Sequence, residues 1–524
     1  MFTRNYHAMK SYTLFSKAPV VATVDGADST HKNGMPNITE LLASLQTSYK
    51  AGVVLGTGDT APTLYDYKLA GDLVTGFTYS HTVTSGKDEK GPWARAKYTI
   101  TNNNAAAVTI KEIALLAGST VCMIERSVLE KPITIEGGGG VGQIEYTVRY
   151  DVPTSEPALN LDQAGVYGVE WNCGSSATKL TRFGDSKDFS APAPATELEK
   201  AGSSPFDALM PWAGMKKYNI VDGTVGASED DDGFSMTDAD TVVYIPEFYY
   251  AVQWVPYEQK MRWAISMTEK EGFAKHPGSG RYIGRYHTSN VSSVYSSKSG
   301  YKPRVSMTRA TARTNRHNKG DKWWMMDYAA WSAIQILYLV EYADWNSQNV
   351  LGTGQDSGAL VASGGTDAAV YHSLKRSGAS NQYRWIEDPW SNCYDFVDGF
   401  VCYSGTVYLN TENANNGDTT ANHANSGKTL GGGGYITRYH YVDELPWAFI
   451  PRAAGGGEET YVTDYASTYS SGACVAYVGG SYAAGADSGL FYLNSNNNTS
   501  NNNSNLGARL LVPVPARRRP RTAR

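Results

Sequence analysis

Cysteine and histidine are scarce in this chain of 524 residues, which has five of the first and nine of the second. Cys122, Cys173, Cys393, Cys402 and Cys474 form no CxxC pair, and an odd number spread along the chain argues against a disulfide scaffold. No HExxH or similar ligand spacing occurs, so no metal and no cofactor is expected. Oxygen ligands do cluster between Asp230 and Asp240, but not in the order of a calcium loop. Charge is also thin. Asp, Glu, Lys and Arg make up 19% of the residues with a net charge of -5, which leaves no overall field to draw the protein to nucleic acid or an anionic membrane. No apolar run is long enough to cross a bilayer, and the opening MFTRNYHAMKSYTLFSKAPV lacks the apolar core of a secretory signal, so membrane insertion is not expected.

The chain is instead rich in 36 Tyr, 12 Trp and 53 Gly, with many Ser, Thr and Asn. That mixture suits β-rich domains joined by turns, and it is also the vocabulary of adaptable binding surfaces. A short helix is expected over residues 36–51, where Ile38, Leu41, Leu42, Leu45 and Tyr49 recur at helical spacing. From Leu69 to Tyr150, stretches such as GFTYSHTV, WARAKYTITN and GQIEYTVRYD read as antiparallel strands of a sandwich-like domain. This gives a β-rich structural or assembly domain at 1–155 and a connector with small β elements at 156–235. VVYIPEFYYAVQWV and KMRWAISM read as an aromatic β pair, and a short helix starts near Thr308. The stretch DYAAWSAIQILYLVEYADWNSQ is the strongest helix, apolar on so broad a face that burial on more than one side follows. Residues 350–510 read as irregular packed loops around short apolar pieces.

One segment stands apart. Eight asparagines fall among the twelve positions from Asn494 to Asn505, framed by the apolar GLFYL and GARLL. A free tail needs no such frame, so an anchored loop is expected. Asparagine presents donor and acceptor together, which tolerates many partners but buries little apolar area.

The series IPEFYY, GRYIGRYH, SGYKPRVSMTRATAR, the long helix, YRWIEDPWSNCYDFVDG and GGSYAAGADSGLFYLNSNNNTSNNNSNLGARL resembles the variable proteins of phages and prophages that are diversified by retroelements. The resemblance implies an α+β chain whose residues 236–512 form a C-type lectin-like domain of the formylglycine-generating-enzyme type. It also implies mutation directed at adenines, for which asparagine codons are favoured targets. The implied variable, ligand-binding positions are Ala483, Ala484, Asp487, Ser488, Tyr492, Asn494, Asn496, Asn497, Asn498, Asn501, Asn502, Asn503 and Asn505. Gly480, Gly485, Gly489, Phe491, Gly507 and Arg509 are the implied scaffold beneath them.

The function so implied is that of a noncatalytic receptor-binding protein, on the tail or another exposed surface of the virion, made in the host cytoplasm. Its expected partners are a bacterial surface protein or carbohydrate, other phage structural proteins and further copies of itself, with a trimer favoured. The rival reading is a structural or decoration protein of the head or tail with a general surface-adhesion role. Catalysis finds little support. Oxidation of a peptide cysteine needs a reactive pair where the chain has Cys474 in an apolar context, and no spacing singles out two of Asp327, Glu341, Glu387, Asp395 and Asp398 for glycoside cleavage. No EPN or QPD segment marks a calcium-dependent sugar site. Residues 513–524 end in RRRPRTAR, a basic tail without a companion patch, so nucleic acid is not the expected partner.

Overall fold

A computed structural model of the chain describes residues 20–22, 28–30, 45–49, 52–59, 69–88, 91–117, 122–149, 161, 163–255, 259–431, 433–468 and 471–513. The chain divides into two compact units, Met1–Glu156 and Pro157–Arg524. Most of the helix expected at 36–51 lies outside the described residues. Leu45–Gln46, at its end, pairs instead as a short strand, parallel with Val53 and Val54.

Besides a short antiparallel pair, Val20–Ala22 with Asp28–Thr30, the first unit has two larger sheets among the described residues. One has three antiparallel strands, Phe77–Asp88, Gly91–Asn102 and Gly140–Arg149. The other orders Leu45–Gln46, Gly52–Gly56, Val108–Ala117 and Cys122–Ile135 side by side. The period-two alternation of WARAKYTITN explains their shared core. Ala94, Ala96, Tyr98 and Ile100 point inward and meet Ile144, Tyr146 and Val148 from the neighbouring strand and Ile110, Ile113 and Leu115 from the other sheet. A buried carboxylate ties the edge: Glu112 accepts the backbone N–H groups of Gly58 at 2.9 Å, Ala70 at 3.0 Å and Gly71 at 2.7 Å.

The second unit is mostly strand as well. Five-, six- and nine-stranded sheets surround one helix, Tyr328–Tyr342, in which every residue is buried. Its ends follow from the sequence. The side chain of Asp327 accepts the N–H of Ala330 at the first turn, and Ala343 leaves the helix with φ 52°. The helix expected near Thr308 runs Arg309–His317, capped by the Thr308 side chain. Ser347–Leu351 is the third α-helix among the described residues.

The expectation of an α+β chain with a formylglycine-generating-enzyme type of lectin-like domain is therefore corrected: strand dominates, spread over several sheets. Two local causes explain the difference. First, stretches read as loops are strands, because packing on both faces overrides the poor strand propensity of Gly, Asn and Ser. Tyr394–Tyr403 and Gly489–Asn498 are ten-residue strands, mostly buried. Second, Val166–Asn172, in the stretch expected as a connector, pairs along its whole length with Lys260–Ser266. The aromatic run VVYIPEFYYAVQWV also splits at Pro246: Asp240–Ile245 joins the six-stranded sheet and Tyr249–Val255 the five-stranded one.

Much of the second unit is still irregular backbone, and buried arginines hold it. Arg285, Arg309, Arg316, Arg384 and Arg509 have almost no exposed surface. Each carries five N–H donors, enough to satisfy several backbone carbonyls that no strand reaches. Arg309 donates to Val397 O, Phe400 O and Gly417 O and pairs with Asp418 at 2.8 Å. Arg384 pairs with the fully buried Glu341, which also accepts hydrogen bonds from Tyr383 and Ser204.

Candidate ligand-binding surface

The asparagine-rich segment is the end of a strand followed by a turn. Gly489–Asn498 lies inside the nine-stranded sheet, antiparallel to Ala473–Gly479 and parallel to Tyr465–Thr468. After the turn, Leu506–Ala508 runs parallel to Tyr394–Phe396, and Leu510–Pro513 pairs with both Arg281–Gly284 and Trp324–Met325 in the six-stranded sheet. Both apolar frames are thus buried strands, and Pro513, expected to open the tail, ends one of them. Residues 514–524 lie outside the described residues.

The turn keeps its shape largely through backbone bonds. Asn501 N donates to Asn498 O at 3.2 Å, Leu506 N and Ser306 N to Asn503 O at 3.2 and 3.3 Å, and Tyr394 N to Asn505 O at 2.9 Å. Asn498 adds a side-chain turn, its Oδ1 accepting Ser500 N at 3.0 Å and Ser500 Oγ at 2.6 Å. The loop before the strand is held by the Ser347–Leu351 helix, where Gln348 donates to Ser488 O and Gly485 O and Ser347 Oγ accepts from Leu490 N.

The thirteen positions named from the sequence fall into three groups. Ala483, Asn496, Asn498, Asn502 and Asn503 are exposed. Ala484, Asp487, Asn497, Asn501 and Asn505 are half-buried, with Asn497 donating to Tyr477 Oη at 2.7 Å and Asn505 to Ser481 Oγ at 3.2 Å. Ser488, Tyr492 and Asn494 are buried. Asn494 spends its amide internally, donating to Tyr492 Oη at 3.3 Å and accepting from Asn496 N at 3.1 Å.

Of the scaffold positions, Gly480, Gly489, Phe491, Gly507 and Arg509 are buried and Gly485 is half-buried. Gly480 has φ 92°, and a Cβ there would stand 2.2 Å from Ser488 Oγ. Arg509 anchors the exit from the turn. Its Nε donates to Asp395 Oδ2 at 2.7 Å, Nη1 to Arg285 O at 2.9 Å, and Nη2 to Glu387 O at 2.8 Å and Asp388 O at 2.6 Å. Burial alone would raise the Asp395 carboxyl, but His287 and Arg509 outweigh it and hold it below the usual range.

Of the tyrosines beneath the amides, Tyr492 is named from the sequence, but Tyr394, Tyr465, Tyr477 and Tyr482 are not. The rings of Tyr394 and Tyr477 meet edge to face at 4.9 Å, and Tyr394 lies 5.4 Å from Tyr492. Tyr394, Tyr465 and Tyr482 are half-buried and so reach the surface. Only the cross-strand register, Tyr477 opposite Asn494, brings these aromatics under the asparagines. The carboxylates considered for catalysis have structural partners: Asp327 caps a helix and pairs with Arg281, Glu341 pairs with Arg384, Asp398 with Arg313, and Glu387 accepts the backbone N–H groups of Gly364 and Thr366. Among the described residues no group of three or more His, Cys, Asp or Glu is placed to hold a metal, and no helix is long and apolar enough to cross a membrane.

Asp464 lies against the Gly489–Asn498 strand and accepts Phe491 N at 2.6 Å. Burial raises its carboxyl well above the usual range, against the pull of that amide. A raised folded-state value means the contribution is full below the unfolded value of about 4 and is lost as pH rises through the folded one. Asp464→Asn keeps an acceptor for Phe491 N and removes the titration. We expect it to match or exceed the parent at pH 8 and to flatten the fall in stability between pH 4 and pH 8, read by urea denaturation across that range.

No family model matches this chain, and no curated protein matches it. Among solved structures it is similar to one named Major Tropism Determinant U1 Variant, at 14% identity and a TM-score of 0.23, over 72% of this chain and 91% of that one. A likeness of that degree leaves the geometry of the surface to carry the functional reading.

Proposed function

We propose that the chain is a noncatalytic receptor-binding protein of a phage particle, and that the surface formed by residues 480–505 makes the contact with the host cell. One observation carries this reading. Asn496, Asn502 and Asn503 are exposed on a strand and turn fixed at both ends by buried sheet; Asn503 takes part in the turn through its backbone carbonyl, and the Asn496 side chain meets only its neighbour Asn497 among the described residues. Side-chain identity at these positions is therefore uncoupled from folding, which is what a diversified surface requires. The half-buried tyrosines supply rigid contact area beside adaptable hydrogen-bonding groups, as in antibody paratopes.

The first unit would serve attachment to the particle, and several copies together would multiply weak contacts on a dense receptor. The test is binding of the full chain to a panel of bacterial cells, compared with a variant carrying Asn496→Ala, Asn502→Ala and Asn503→Ala. These exposed changes should each shift stability by no more than about 0.5 kcal/mol. Selective binding that the folded variant loses supports the reading. Equal binding by both proteins moves recognition elsewhere.

A further inference from the structure

Beside the asparagine turn lies a polar cleft that none of the variable positions lines. Its walls are the hairpin Ser289–Val291 and Val294–Ser296 and the C-terminal end of the Arg309–His317 helix. Its volume is about 160 Å³, and Asn290, Ser293, Tyr295, Arg304, Asn315 and Asn318 line it. We propose that this cleft is a subsite for one acidic sugar ring, a hexuronate unit of a surface polysaccharide. The inference rests on the receptor-binding reading for the source of the sugar, but not for whether the cleft binds it.

An engineered cavity of about 150 Å³ accepts benzene, so an open cleft of about 160 Å³ takes one pyranose ring with its substituents reaching the mouth, but not two rings. The chemistry then selects the kind of ring. Tyr295 is buried at the floor, its hydroxyl accepting from Asn315 Nδ2 at 2.8 Å and donating to Met307 Sδ. Asn315 therefore keeps its carbonyl oxygen as an acceptor, and the exposed Asn290 and Asn318 bring whole amides. Such groups pair with hydroxyls that offer both donor and acceptor.

Charge completes the selection. Lys319, also at the cleft, is already paired with Asp240 at 2.7 Å. Arg304 is exposed and forms no ion pair among the described residues, so the cleft presents one uncompensated guanidinium suited to a carboxylate. Strain points to the same place. The two residues at the tip of the hairpin, Ser292 and Ser293, have φ 50° and 67°, a conformation that Asn-Gly would adopt at less cost, and such strain collects at ligand clamps. The cleft also adjoins the variable surface, because Ser306, two residues after Arg304, donates its N–H to Asn503 O.

The experiment is a ligand-observed NMR titration of the full chain with sodium glucuronate, methyl glucoside and inorganic phosphate. Arg304→Gln, Asn318→Ala and the triple asparagine variant are measured alongside, with the fold checked by circular dichroism. Glucuronate should bind at least tenfold more tightly than the other two ligands, and Arg304→Gln should weaken it at least tenfold. Asn318→Ala should weaken it less, and the triple variant should bind it unchanged. Phosphate binding as tightly as glucuronate would make this a bare anion site and overturn the proposal. Equal affinity for methyl glucoside, indifference to Arg304→Gln, equal loss in the triple variant or no glucuronate binding would each overturn it too. Loss of cell binding by the triple variant concerns the receptor-binding reading alone, so the two can fail separately.

Discussion

Replacing Arg509 by leucine lowers the stability of the second unit by about 3–5 kcal/mol, the usual cost of removing one partner from a buried ion pair. The variant leaves the Asp395 carboxylate buried beside His287, and it strips donors from the carbonyls of Arg285, Glu387 and Asp388. Replacing Asp395 by leucine as well removes the orphaned charge but not the orphaned carbonyls. The double variant should therefore regain only part of the loss, whereas a simple ion pair replaced by apolar residues is often neutral. Guanidinium denaturation of the full chain, followed by the tryptophan fluorescence of the second unit, reads both variants.

The pH dependence gives an independent check. The Asp395 carboxyl lies below its ordinary value in the fold, so its stabilisation is full above the unfolded value of about 4 and is lost as pH falls through the folded one. Arg509→Leu removes much of what depresses it. The deficit of the variant should narrow as pH drops below about 4. A deficit that stays constant down to pH 3 would mean that Asp395 and Arg509 are not coupled.

Gly489→Ala carries the second large effect, about 3 kcal/mol. A Cβ at this position would stand 2.2 Å from Asp464 Oδ1, closer than any relaxed contact. Asp464 would have to move, and it is the acceptor for Phe491 N at 2.6 Å. The cost joins an overpacking penalty of about 1–3 kcal/mol to a lost buried hydrogen bond of about 1 kcal/mol or more. Because Phe491 starts the part of the strand that leads to Asn494, hydrogen exchange should show lost protection from Leu490 to Leu493. Ala483→Gly, on the exposed loop nearby, serves as the control and should leave the strand protected.

The sequence made some of this visible and hid the rest for identifiable reasons. The Tyr328–Tyr342 helix was legible because apolar residues cover more than one face, and the Arg309–His317 helix because Thr308 caps it. The anchoring of the asparagine tract was legible in its two apolar frames. The strands Tyr394–Tyr403 and Gly489–Asn498 were not, since Asp, Gly, Ser and Asn within them carry no alternation; burial on both faces erases the period-two signal. That same loss concealed the inward turn of Asn494. The split at Pro246 was half legible: the proline marked an interruption, but no local signal tells that the chain changes sheets there.

The parallel pairings on either side of the turn decide which sequence changes this surface tolerates. Leu493–Ser495 is fixed in register with Ala466–Thr468, and Leu506–Ala508 with Tyr394–Phe396. A one-residue slip in a strand sends every side chain to the opposite face. Inserting or deleting a residue within either paired stretch would thus turn Leu493 or Leu506 away from the core, whereas exchanging one exposed side chain for another disturbs neither register. The ladder thus tolerates new spelling at constant length and resists any change of length within its paired stretches.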